Sequence, residues 1–170
     1  PNESVIIDPL VKELDLTPFF KILGNKNILK VFHAARQDVE LFHHLTGQLP
    51  EPLFDTQLAA MACGYGDSVG YEKLAARIAD AQIDKTLRFT DWARRPLTDR
   101  QLLYAVADVS HLRPIYDHLS GQLANNGRRS WIDEEMGILT NPATYENPPE
   151  EAWKRVKVRN AKPRFLAILR

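Results

Sequence analysis

The sequence is poor in the features that mark specialised classes of protein. One cysteine, Cys63, stands in 170 residues, so an internal disulfide is excluded and a reducing, cytoplasmic setting is expected. It lies in LAAMAC, where a small buried residue is the simplest reading. No apolar run reaches the roughly 18 residues of a spanning helix, so no membrane is expected as a partner. Charge of one sign is lacking as well. The 22 Lys and Arg balance 22 Asp and Glu, which argues against a uniformly basic nucleic-acid binder. No repeat period is visible. The start, PNESVIID, has neither an initiator Met nor a signal pattern, and the end, RFLAILR, stops inside an apolar helical pattern. Both ends read as cuts within a longer protein.

What is present suits one domain with a real core, since 44% of residues are apolar and 26% charged. Ser4–Ile7 reads as a strand ending in the Asp8-Pro9 turn. Thr17-Pro18 supplies an N-cap and first-turn proline for a helix with Phe19, Phe20, Ile22 and Leu23 on its apolar face, stopped by Gly24. ILKVFH (28–33) is a buried strand running into a helix with Val39, Leu41, Phe42 and Leu45 inward and Gly47 as its stop. Leu53–Thr56 is a further strand, leading into a helix capped by Asp55 or Thr56. Ser68 is the expected cap of the next helix, with Leu74, Ala75, Ile78 and Ala79 inward. Strand-helix alternation of this kind indicates an α/β layered fold.

The most informative stretch is Thr90–Leu112, TDWARRPLTDRQLLYAVADVSHL. Thr98 caps a helix with Gln101 as its capping-box partner, and Pro114 bends it after His111. Tyr104 and Asp108, four residues apart, share one face. Asp108 sits at the edge of an apolar stripe formed by Leu102, Ala105, Val106, Val109 and Leu112. A carboxylate there needs a partner, a hydrogen-bond network or a metal. The run from Ala81 to Pro96, without periodicity and carrying Lys85, Arg88, Arg94 and Arg95, is expected to wall a cleft beside this helix.

W-x-x-R-P-L-T-x-x-Q-x-x-Y-A-x-x-D-V resembles the third exonuclease motif of the ribonuclease D family, which belongs to the two-metal 3′-5′ exonucleases with four acidic residues, in the branch where a tyrosine precedes the last aspartate. FHAARQDVELF resembles the second motif, with His33 leading to a metal-binding Asp38. Pro149–Arg170 resembles, more weakly, the opening of the helicase-and-RNase-D C-terminal module. It carries seven basic residues against one acid from Glu151 onward, either a solvated face or a phosphate-following segment.

The resemblance implies a ribonuclease H-like, DnaQ-type mixed sheet flanked by helices, with its N-terminal strands missing from this chain. It divides the chain into a partial exonuclease domain (1–140), a linker (141–150) and the start of a helical domain (151–170). It implies two Mg²⁺ or Mn²⁺ ions held in part by Asp38 and Asp108, with Tyr104 orienting the attacking water. His33, Trp92 and Arg95 are the expected holders of the 3′-terminal nucleotide. The implied activity removes nucleotides from RNA 3′ ends, as in tRNA precursors, with no small-molecule cofactor. Members also carry an Asp-x-Glu on the first strand, and nothing before Ser4 supplies it. The 170 residues alone are therefore expected to be inactive. A DNA-directed exonuclease and a non-catalytic nucleic-acid-binding module remain as alternatives.

Overall fold

Two short strands, β1 (Lys30–Phe32) and β2 (Leu53–Asp55), pair in parallel with Val31 opposite Phe54. The helix between them, α2 (Arg36–Thr46), makes the crossover that parallel pairing requires, and Gly47 ends it at φ 69°. The computed structural model describes residues 3–146, 148 and 150. The predicted helical segment 151–170 and its basic run lie outside the described residues.

The other helices are α1 (Thr17–Leu23), α3 (Thr56–Ala62), α4 (Tyr71–Ile78), α5 (Asp99–Ser110), α6 (Leu112–Asn126) and α7 (Arg129–Leu139), with 3-10 turns at Lys85–Leu87 and Pro142–Thr144. The core is built on α6. Ile115, Leu119 and Leu123 recur every four residues and are fully buried. They share one core with Ala59 and Ala60 of α3 and Leu74 and Ala75 of α4, and Ile132, Met136 and Leu139 of α7 join that core by packing on α3 and β2. Fully burying one such leucine contributes about 1.5–3 kcal/mol. Lys30, although charged, is buried in β1. Its Nζ donates to the carbonyls of Asn25 (2.8 Å) and Glu51, one from the loop before each strand.

Several expectations are corrected. Ser4–Ile7 is not a strand: Val5 is 73% exposed, and the two described strands pair only with each other. An extended apolar segment becomes a strand only where an edge accepts its backbone. Thr17 lies inside α1 rather than capping it, and the Asp15 carboxylate accepts its amide at 2.9 Å. No residue of α1 is buried. On α2 only Val39 and Phe42 point inward, while Leu41 and Leu45 face solvent. Gly70, not Ser68, caps α4. The Thr98–Gln101 capping box of α5 forms as expected. Its apolar stripe is not part of the core, however, because Gln101 is the buried residue of α5 and Val109 is exposed. The break after His111 and the Gly127 stop of α6 fall where the sequence puts them.

Candidate active site

Past β1 the chain turns sharply. Ala34 takes φ 57°, an unusual value for a residue with a β-carbon. The carboxylate of Asp55, at the end of β2, holds this turn. Its Oδ1 accepts the Ala34 amide at 3.0 Å and its Oδ2 accepts the Ala35 amide at 2.8 Å. Oδ1 also accepts the Gln57 amide at 2.7 Å, capping α3. One buried side chain thus serves the first turns of two helices. It fixes α2 so that Asp38, in the first turn, lines a cleft.

The cleft, of about 670 Å³, opens between β1, α4, the Lys85–Arg88 turn and α5. Asp38, from α2, and Tyr104 and Asp108, from α5, all line it. His33, Tyr71, Glu72, Lys85 and Arg88 complete its chemically active lining. Four of the residues singled out in the sequence, His33, Asp38, Tyr104 and Asp108, line this one cavity. Lys85 and Arg88 wall it as expected, whereas Arg94 and Arg95 do not.

Electrostatics distinguish these groups. Burial, then repulsion from Asp55, raises Asp38 above the ordinary carboxylate value. Burial, then repulsion from Glu72, does the same to Asp108, against the attraction of Arg88. Burial first, and Asp108 second, push the Tyr104 phenol upward, so it stays protonated at neutral pH. Burial lowers His33, against the charges of Asp55 and Glu72 and the Val69 carbonyl. Thr56 spends its one hydroxyl proton on the Phe32 carbonyl (2.9 Å), so His33 Nδ1 donates to Thr56 Oγ1 (3.0 Å). Glu72 forms an ion pair with Lys85, whose hydrogen bond holds its carboxyl below the ordinary value.

Trp92 contributes indirectly, its ring 5.7 Å from that of Tyr104. Arg95 is directed elsewhere. Its Nε and Nη2 bind both oxygens of Asp8 at 2.6 and 2.7 Å, and its Nη1 donates to the Trp92 and Arg94 carbonyls. The Arg95 guanidinium thus ties the N-terminal segment to the loop before α5 and does not line the cleft. Residues that sequence reasoning missed are Glu72 and Tyr71. No motif in the sequence marks either residue, and only the fold brings the start of α4 to the cleft.

Asp38 and Asp108 remain reachable by solvent, and partial desolvation at the cleft raises both carboxyls; their oxygens are hard donors of the kind that Mg²⁺ and Mn²⁺ prefer. Among the described residues, no group of three or more His, Cys, Asp or Glu is close enough together to hold an ion unaided. Asp38 and Asp108 fit such ions as a partial set.

Comparison with known proteins gives consistent results. A family model described as 3′-5′ exonuclease matches residues 1–124. A ribonuclease D of Bartonella henselae is 52% identical over 169 residues, covering 99% of this chain and 42% of the relative. The chain thus spans less than half the length of that curated relative. Among solved structures, Escherichia coli RNase D, an exoribonuclease involved in structured RNA processing, superposes with a TM-score of 0.77 at 36% identity, over 84% of this chain and 38% of that one. Brucella melitensis NrnC with bound Mg²⁺ gives 0.67 at 26% identity, over 85% and 69%.

Proposed function

The chain belongs to the 3′-5′ exonuclease family and has a ribonuclease H-like α/β fold, and from this premise we propose that the protein containing it is a ribonuclease D-like exoribonuclease that removes nucleotides from RNA 3′ ends. Residues 1–140 form part of its exonuclease domain, 141–150 the linker and 151–170 the start of a helical domain. The observation that carries this reading is the meeting in one cleft of Asp38, on α2, with Tyr104 and Asp108, on α5 and more than 60 residues further along the chain.

Asp38 and Asp108 are the residues that would hold divalent ions, together with carboxylates from elsewhere in the protein. When bound, such ions supply charge stabilisation and the acidity that turns water into a nucleophile. The remaining work belongs to side chains of this chain. Tyr104 keeps its proton and orients the attacking water through its hydroxyl, while Trp92 supports the Tyr104 ring. Lys85 and Arg88 present positive charge to the phosphate backbone along the cleft wall. His33, held by Thr56, stands against the terminal nucleotide. Mg²⁺ use follows the ion named for NrnC, and tRNA precursors follow the structured-RNA role named for the Escherichia coli enzyme. Among the described residues no helix is long and apolar enough to cross a membrane.

The test uses the full-length protein with 5′-labelled single-stranded RNA, matched DNA and a tRNA bearing a 3′ extension, each with Mg²⁺. Stepwise shortening of the RNAs from the 3′ end is expected, with loss of activity in Asp108→Asn. Faster loss from DNA would favour a DNA-directed enzyme. Binding without shortening would favour a non-catalytic module.

A further inference from the structure

The backbone around Asp108 has an unusual arrangement. In a continuous helix the Ala107 carbonyl and the His111 amide would bond to each other. Here the hydroxyl of Tyr71 engages both: it donates to the Ala107 oxygen at 3.0 Å and accepts from the His111 nitrogen at 3.1 Å. A side chain inserted into the helical ladder is a recognised cause of a sharp bend. Pro114, three residues on, has no amide to offer the Ser110 carbonyl and deepens the break. α5 accordingly ends at Ser110 and α6 starts at Leu112. Asp108 lies within the bracket whose two ends Tyr71 holds.

The wedge has a firm base. Tyr71 is the first residue of α4, and the next turn of that helix buries Leu74 and Ala75 completely against the core built on α6. The Tyr71 ring also sits 5.7 Å from that of His33, so one side chain touches both walls of the cleft. Ordinary packing of an aromatic ring would not require its hydroxyl to occupy the helical ladder.

We infer that Tyr71 is a positioning residue, whose hydroxyl sets the helix break beside Asp108 and thereby the aim of Asp108 into the cleft. This rests on the exonuclease reading above. The test is Tyr71→Phe in the full-length protein, labelled with ¹⁵N-histidine and ¹³C′-alanine. Within these 170 residues no alanine directly precedes a histidine, so an alanine–histidine coupling here can arise only through a hydrogen bond. In the wild type no coupling between His111 N and Ala107 C′ is expected. In Tyr71→Phe the ladder closes and the coupling appears. The Mg²⁺ concentration for half-maximal RNA hydrolysis then rises about tenfold, while KM for RNA stays within about twofold. A coupling already present in the wild type overturns the inference, as does an unchanged Mg²⁺ dependence in the variant. If circular dichroism shows that Tyr71→Phe is unfolded, the wild-type coupling decides alone. A wild type that releases no nucleotide refutes the exonuclease reading, and with it the role of Tyr71, whereas the coupling still judges the wedge itself.

Discussion

The buried carboxylate of Asp55 accepts the amide of Ala35 at 2.8 Å, twenty residues back along the chain, and so anchors the start of the helix that carries Asp38. Hydrogen bonds to an ionised acceptor are each worth about 1.5–3 kcal/mol, and here several share one side chain. Asp55→Ala should therefore cost roughly 3–5 kcal/mol, read from the midpoint of urea unfolding, and should lower activity even in the fraction that remains folded. A loss below about 1 kcal/mol would mean that the turn at Ala34 holds itself.

Asp108 carries a prediction in which stability and activity move in opposite directions. Its carboxyl is raised above the ordinary value of 3.8 by burial and by Glu72, so the folded protein holds that proton more tightly than the unfolded chain. Stability from this group is intact below the unfolded value and declines as pH rises through the folded one. Metal-free Asp108→Asn should melt above the wild type at pH 7, with the difference shrinking as pH falls toward 4. Its RNA hydrolysis should fall by more than about a hundredfold. A melting point below that of the wild type at pH 7 would contradict the assignment.

Tyr104→Phe keeps the ring against Trp92 and removes only the hydroxyl. A positioning role predicts kcat lower by about ten- to a hundredfold with little change in KM. Since the phenol is pushed upward, the pH profile between 6 and 9 should keep its shape in the variant. Loss of a titrating limb in that range would instead make Tyr104 the base.

Arg95 separates two roles. Its guanidinium is committed to Asp8, so Arg95→Ala should leave KM for RNA within about twofold while speeding cleavage of the 3–16 segment in limited proteolysis. A tenfold rise in KM would restore the nucleotide contact that the sequence suggested.

The location of the core can be checked by a pair of truncations. Leu119→Ala, in α6, should cost about 2–5 kcal/mol. Leu103→Ala, on α5 and 70% exposed, should cost well under 1 kcal/mol in the same denaturant series. Equal losses would place α5 in the core after all.

The site was more legible in the sequence than the packing was. Asp38, Tyr104 and Asp108, which line one cleft, were singled out by two dense local motifs, and capping residues such as Thr98 and Gly127 act within one turn. Leu41, Leu45 and Val109 were misplaced because helical periodicity shows which residues share a face but not whether anything covers it. Ser4–Ile7 failed for a related reason, since strand propensity does not supply a pairing edge. Tyr71 and Glu72 were missed because nothing local marks them: their role depends on α4 packing beside α5 across the cleft. The Arg95–Asp8 pairing was not legible, because the two residues are 87 apart and no pattern connects them.

Lys30, with its amine caught between the carbonyls that precede the two strands, also records when those strands part. An amine-directed acylating reagent needs a free, accessible nitrogen, and that of Lys30 is released when the loops that carry Asn25 and Glu51 part at that end of the sheet. Lys26, four residues earlier and exposed, has no such protection. The ratio of the two labelling rates therefore measures how often the sheet beneath the cleft opens.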